Sequence, residues 1–310
     1  MRQLVHCLAS VPTDSILVIG RHGQLARALA EAAGARRLIN LGRPELDFLR
    51  PESVPAALAP YCPSLIINAA AYTAVDQAEN DRASAQAANV DGPAALAAWC
   101  AAADIPLIHV STDYVFDGSK GAPYLESDPP HPIGVYGATK RAGELAVLAA
   151  CPKAIILRTS WVYAPYGKNF VLTMLAVGAR LPKLRVVADQ IGCPTSAPDL
   201  AIAILGIADR LAGGWHSEYA GIFHAAGSGA TSWHGLAEAA FDIATEYGGV
   251  RPEVEPIATA DWPTPVQRPA DSRLRCDRLE AVFAQRLPDW RDGLRRTVAR
   301  AMADAGRPMC

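Results

Sequence analysis

Residues 16–26 read Ile16-Leu17-Val18-Ile19-Gly20-Arg21-His22-Gly23-Gln24-Leu25-Ala26. A short run of apolar residues with no polar face makes a strand only where both faces are covered. Gly20 ends the run and permits a sharp turn. The stretch from Gly23 to Gly34 (GQLARALAEAAG) is rich in Ala and Leu and ends on glycine, a helical composition with a stop signal. A buried strand that turns at glycine straight into a helix is the opening of a βα unit. At such a turn Gly23 lets a pyrophosphate approach the backbone at the positive end of the helix.

The same rhythm continues outward. Leu38–Leu41, Leu65–Ala71 (LIINAAA), Pro106–Ser111 (PLIHVS) and Ala154–Leu157 are further short apolar runs, with helical stretches at 81–103 and 134–150. Apolar strands separated by helices predict an α/β fold, a Rossmann-type doubly wound parallel sheet. After residue 158 the rhythm loosens. Arg185–Ala188 (RVVA), a helical stretch at 197–212 and Gly221–Ala225 (GIFHA) read as additions to the sheet. A helix after Ser232, a Pro-rich crossing at 252–269 and a charged helix near 289–304 read as a smaller mixed α/β substrate lobe. The predicted division is residues 1–160 plus about 185–227 for the Rossmann domain, and about 161–184 plus 228–310 for the lobe.

The chain has 310 residues, 51% hydrophobic and 19% charged, which excludes a disordered or fibrous protein. Lys plus Arg total 29 against 31 for Asp plus Glu, so the basic footprint of a nucleic-acid binder is absent. No run reaches the roughly 18–20 apolar residues of a membrane span. Seven cysteines, at 7, 62, 100, 151, 193, 276 and 310, form no CxxC pair and read as reduced thiols of a cytoplasmic protein. The opening MRQLVHCLASVPTDS is too short in apolar residues for a secretory signal and reads as a dispensable leader.

Two further stretches carry chemistry. Ser111-Thr112-Asp113 closes the fourth strand, at the carboxyl edge where open parallel sheets bind ligands. Tyr136-Gly-Ala-Thr-Lys140 then sets a phenol and an ammonium one helical turn apart on the same face. A nearby cation favours phenolate, so Lys140 is expected to draw the Tyr136 pKa from about 10 toward neutrality. Tyr136 would exchange a proton with a substrate oxygen, and Thr112 would hydrogen-bond the same oxygen. Where the second strand ends, an acid would hold the ribose 2′-hydroxyl of NAD. This chain has Gly42 followed by Arg43, which favours NADPH, with NADH possible.

With these residues in place, the chain resembles the extended short-chain dehydrogenase/reductase superfamily and, within it, the dTDP-4-dehydrorhamnose reductase family. The resemblance spans about 15–300 and rests on GRHGQLA (20–26), NAAAYTAVDQAE (68–79), HVSTDYVFDG (109–118), YGATK (136–140), RTSWVYAPYGKNFVLTM (158–174), DQIGCPT (189–195) and RPADSRL (268–274). It implies NADPH-dependent reduction of the C4 keto group of dTDP-4-dehydro-β-L-rhamnose. Tyr136, Lys140 and Thr112 would be catalytic. Gly20, Gly23, Gln24, Leu25, Arg43, Asp47, Phe48, Ala70, Ala71, Tyr72 and Thr73, with Tyr136 and Lys140, would bind the cofactor. Thr112, Asp113, Trp161 and Arg268 would meet the substrate, and the lobe would hold the nucleotide sugar.

Three positions depart from the family pattern. Ala26 replaces a third glycine, Gly42 stands where an acid is often found, and Asp271 replaces Asn in RPxNS. Asp271 would repel substrate phosphates and is expected to face elsewhere. Position 28 is Ala rather than a carboxylate, so no metal is assigned. His109 reads as a core histidine, and Asp189 and Gln190 as loop caps. The expected partner is a dTDP-sugar, with no nucleic acid and no membrane, in a cytoplasmic monomer or homodimer. Two alternatives remain: a related nucleotide-sugar epimerase/reductase, and a non-catalytic NADP-binding regulatory subunit. Thr112-Asp113-Tyr114 lacks the Asp-Glu pair of dehydratases, and the presence of Thr112, Tyr136 and Lys140 speaks against a purely regulatory chain.

Overall fold

The computed structural model describes residues 14–305, so the leader read before residue 14 lies outside them. Five strands in chain order are β1 (Ile16–Ile19), β2 (Leu38–Leu41), β3 (Leu65–Asn68), β4 (Leu107–Thr112) and β5 (Ala154–Thr159). They join Gly221–His224 in a six-stranded sheet whose order is Gly221–His224, β5, β4, β3, β1, β2. Every pairing in it is parallel, with Ile16 beside both Leu38 and Leu65.

Alternation along each strand divides the core between the two faces. Ile16, Val18, Ile67, Ile108 and Leu157 face one side, where Leu25 and Leu29 of helix α1 (Gln24–Ala32) and Leu200, Ile204 and Ile207 of the helix Ala197–Ala212 cover them. Leu17, Ile19, Ile66, Leu107 and Ile156 face the other, under Leu96, Cys100 and Val147. A fully buried Leu or Ile side chain is worth about 1.5–3 kcal/mol, so neither layer of helices can be shed. The chain crosses from β1 to β2 on one side and returns to β3 on the other. That reversal parts the connections and opens a crevice beyond the carboxyl ends of β1 and β3.

Three expectations need correction. The strand read at Arg185–Ala188 as part of the central sheet runs over Lys183–Val187 and pairs instead with Glu253–Ile257 in a separate two-stranded parallel sheet. Its exposed charges pair across that ladder, with Lys183 bonded to both Glu253 and Glu255, so only one face is apolar and it covers Phe241. The stretch 81–103, read as one helix, is Arg82–Gln86 and Gly92–Ala102 joined by a π-helical turn at Ala87–Asp91. Cys62 is disulfide-bonded, although Cys100, Cys151, Cys193 and Cys276 are free thiols. Among the described residues no helix is long and apolar enough to cross a membrane, and no His, Cys, Asp or Glu cluster could hold a metal ion.

Candidate active site

A cleft of about 830 Å³ occupies the crevice. Its floor begins at the glycine turn, where Gly20 has φ +130, a conformation a side chain would strain. Asn40 on β2 donates to the carbonyls of Gly20 and Ala26 at 3.1 and 3.2 Å, tying the turn to the next strand. Gly23 caps α1 without a side-chain hydrogen bond, and the first turn of the helix holds no acid. The leading N–H groups of α1 are therefore left for an anionic group.

Gly20, Gly23, Gln24 and Leu25 from this turn line the cleft, as do Arg43, Asp47 and Phe48 after β2 and Ala70, Ala71, Tyr72 and Thr73 after β3. Thr112 and Asp113 at the end of β4, Tyr136 and Lys140 on the helix Val135–Ala150, and Trp161 after β5 complete the set. Arg268 is not brought to this lining. Its Nη2 donates instead to Asp76 at 2.7 Å. The Asp271 carboxylate is gripped by Arg273 through contacts of 2.8 and 2.6 Å, which neutralises the charge that would repel phosphates.

The Thr112 hydroxyl donates to the Asp113 carboxylate at 3.1 Å and accepts from the Tyr114 N–H at 3.2 Å, and it lies near enough to the Tyr136 phenol to favour its ionised form. Burial pushes the Tyr136 pKa up to about 12, against the effect of Thr112 and with a further upward push from Asp113. This overturns the expectation that Lys140 would bring the phenol toward neutrality. The Lys140 amine is turned away, donating to the Val110 carbonyl at 2.7 Å and lying 3.5 Å from Nε2 of His109. Burial outweighs the charge of Glu144 and pushes Lys140 down to about 8. Tyr136 thus stays a phenol throughout the neutral range, the form needed to give a proton away. Burial raises Asp113 to about 6.

Gly137, between the phenol and the amine, has a packing reason. A Cβ there would lie 2.1 Å from the Tyr114 carbonyl oxygen, so only glycine lets this helix settle on the turn after β4.

Several site residues escape sequence reasoning. Trp161 sits at φ +48, a strained conformation for a bulky residue, and its indole stacks on Trp233 with centroids 3.5 Å apart and planes 5° apart. Trp233 follows the cap residue Ser232 and gave no local signal of a partner so far back in the chain. Its Nε1 donates to Gln190 at 3.2 Å, Gln190 donates to Thr259 at 3.1 Å, and Thr259 donates from its backbone to Asp189 at 2.9 Å. Asn89, in the π-helical turn, accepts from the Tyr72 N–H at 2.9 Å and donates to the Tyr72 carbonyl at 3.2 Å, fixing the loop after β3. Glu144 was legible in principle, since Tyr136, Lys140 and Glu144 follow one another at helical spacing. It accepts from Ser111 at 2.6 Å, from Arg158 at 2.8 Å twice and from Arg141 at 2.8 Å.

Comparison with known proteins agrees with this geometry. The family described as RmlD substrate binding domain matches residues 14–303. A dTDP-4-dehydrorhamnose reductase of Sinorhizobium fredii is 46% identical over 284 residues, covering 91% of this chain and 96% of its own. A Streptomyces antibioticus protein described as a probable dTDP-4,6-dihydroxy-2-methyloxan-3-one 4-ketoreductase is 41% identical, covering 90% and 92%. The dTDP-4-dehydrorhamnose reductase of Bacillus anthracis, solved in complex with NADP, superposes with a TM-score of 0.85 at 34% identity, covering 93% of this chain and 99% of that one. Matches of this length and identity, on a cleft whose glycine turn, Thr112, Tyr136 and Lys140 stand together, make this chain a member of the dTDP-4-dehydrorhamnose reductase family.

Proposed function

We propose that the cleft binds NADPH along the glycine turn and reduces the C4 keto group of dTDP-4-dehydro-β-L-rhamnose. The observation that carries this reading is the protonated Tyr136 hydroxyl, beside Thr112 at the end of β4, in the same cleft as the uncapped start of α1. The bare helix N-terminus fits a pyrophosphate, and Gly42 beside Arg43 offers a cation and no carboxylate to a ribose 2′-phosphate. NADPH, when bound, supplies the hydride.

The chain's own residues do the rest. Tyr136 donates its proton as the carbonyl oxygen gains charge, and Thr112 gives that oxygen a second hydrogen bond. Lys140, within the same wall, is placed to hold the nicotinamide ribose. Trp161, backed by Trp233, offers a flat face to the sugar. The assembly that goes with this reading is a monomer or a homodimer. The cytoplasm, where NADPH is regenerated, is the compartment that suits this chemistry.

The test is coupled turnover from dTDP-glucose with a dehydratase, an epimerase and NADPH, followed by product analysis. Tyr136→Phe is expected to lower kcat by ~10²-fold or more, because positioned proton transfer is worth roughly 10²–10⁴. Full turnover by that variant rejects the assignment, and kcat/KM as high with NADH as with NADPH rejects the role given to Arg43. The S. antibioticus relative is described for a different dTDP-keto-sugar, so the product must be identified rather than inferred from NADPH oxidation alone.

A further inference from the structure

His109, Asn68 and the loop after β3 form a chain of hydrogen bonds that ends on Lys140. Asn68 and His109 are both fully buried. The Ala70 N–H donates to Oδ1 of Asn68 at 3.1 Å, which settles how the Asn68 amide is turned. Its NH₂ group must then face His109, whose Nδ1 lies 2.9 Å from Nδ2. An imidazole that accepts at Nδ1 carries its proton on Nε2 when neutral. That Nε2–H points at Nζ of Lys140, 3.5 Å away. Lys140 already gives one hydrogen to Val110.

An ammonium has only donors, so it has no favourable partner in an N–H group. A neutral amine has one lone pair, and it accepts from His109 while still donating to Val110. We propose that His109 is a positioning residue for Lys140: its tautomer, locked by Asn68, presents a hydrogen-bond donor to the amine and biases Lys140 toward its neutral form. The inference rests on Lys140 belonging to the site described above, and it assigns His109 a task beyond filling the core.

The other charged and titratable groups around Lys140 are few. Tyr136 and Glu144 lie one turn to either side on its own helix, and Glu144 is itself paired with Arg158 of β5. Asp113, on the turn after β4, acts on Tyr136. His109 is the group on β4 that meets the amine directly. Burial holds the His109 pKa well below the usual range, and a charge on Lys140 lowers it further, so the ring stays neutral and its tautomer, rather than its charge, is what Lys140 senses.

Two measurements on the full chain test this. In protein carrying ¹⁵N-labelled histidine, the His109 ring, assigned by its loss in His109→Leu, is expected to show the neutral Nε2–H tautomer from pH 5 to pH 9. An Nδ1–H tautomer, or a charged ring within that range, overturns the proposal whatever the activity proves to be. Asn68→Asp keeps the shape and the acceptor for Ala70 but draws the histidine proton to Nδ1, turning Nε2 into an acceptor.

In that variant the alkaline-side break in the kcat/KM profile is expected to move up by a full pH unit or more. The added carboxylate also acts through space, so the same change is made in the His109→Leu background, where the movement should be at most half as large. Equal movement in both backgrounds means that charge alone is at work and sinks the tautomer argument. If Asn68→Asp does not fold, the wild-type ¹⁵N spectrum still decides.

Discussion

The two walls of the cleft are held by different forces. On the side of the glycine turn, the functional groups sit at the ends of β1, β3 and β4, neighbouring parallel strands whose ladder fixes their spacing. Buried ionic contacts lock this wall from behind, with Glu144 gripping Ser111 and Arg158. On the far side, Trp161 leans on Trp233, which is tied through Gln190 and Thr259 to Asp189. Stacking and the neutral bonds through Gln190 are each worth about 1 kcal/mol and the bonds to the exposed Asp189 carboxylate somewhat more, whereas a buried ion pair that loses one partner costs several. The first wall is built to stay still, and the second to be adjusted at small cost.

Glu144→Gln is the hardest test of that contrast. Burial alone would push the Glu144 pKa up, but hydrogen bonds and charge from Arg158, with help from Ser111 and Arg141, hold it below the usual carboxylate range. A lowered folded value means that the stabilisation is present above the unfolded pKa of 4.5 and is lost as pH falls through the folded value. Removing the charge leaves the Arg158 guanidinium buried and uncompensated, a loss of about 3–5 kcal/mol. Thermal unfolding at pH 7 is expected to show Tm lower by roughly 6–15 °C. A change of less than about 2 °C would show that this wall is not held by its charges, and the contrast would fail.

Lys140→Met sharpens the comparison from the other direction. Burial lowers Lys140 from 10.5 to about 8 in the folded chain. Below pH 8 it is charged both folded and unfolded, and the folded state bears the full cost of the buried charge. Between pH 8 and 10.5 the unfolded state binds more protons, so stability rises with pH. The gap is worth about 3 kcal/mol. Leaving the Val110 carbonyl without its donor takes back about 1 kcal/mol. The variant is expected to be more stable than wild type by about 2 kcal/mol at pH 7 in the absence of cofactor. The advantage should vanish just below pH 10 and give way to about 1 kcal/mol in favour of wild type above pH 10.5, with reductase activity largely lost. Denaturant unfolding at the two pH values checks the sign, and a variant that is less stable at pH 7 contradicts it.

The same division explains what could be read from residues alone. Tyr136, Lys140, Thr112 and the glycine turn are each signalled by neighbours within a few positions, and the parallel sheet then brings them together. Trp233 and Gln190 carry no such signal, because their meeting with Trp161 depends on how separate segments pack. Lys183–Val187 was misplaced for a related reason: a short apolar strand says that it pairs, not with which sheet. Even in the legible wall, the residues gave the spacing of Tyr136 and Lys140 but not the direction of the amine. That direction is set by Val110 and His109 on β4, out of reach of any count along the helix.

Trp233→Ala probes the softer wall and carries the smallest expected effect. The indole of Trp161 loses its stacking partner, while its backbone keeps the positive φ that aims it, since the Trp161 carbonyl still accepts from the Thr195 N–H at 3.2 Å. An aromatic pair is worth about 0.5–1.5 kcal/mol, equivalent to roughly a 2- to 10-fold change in an equilibrium constant. Because Trp161 is proposed to support the sugar rather than to move a proton, the loss should appear as a 2- to 10-fold rise in KM for the sugar nucleotide, with kcat within about twofold. KM for NADPH should not change, since the glycine turn and the loops after β2 and β3 are held by the sheet and by Asn40 and Asn89. Steady-state kinetics with each substrate varied in turn separates the two. A matching rise in KM for NADPH would mean that the stack also supports the cofactor side, and the two walls would have to be treated as one.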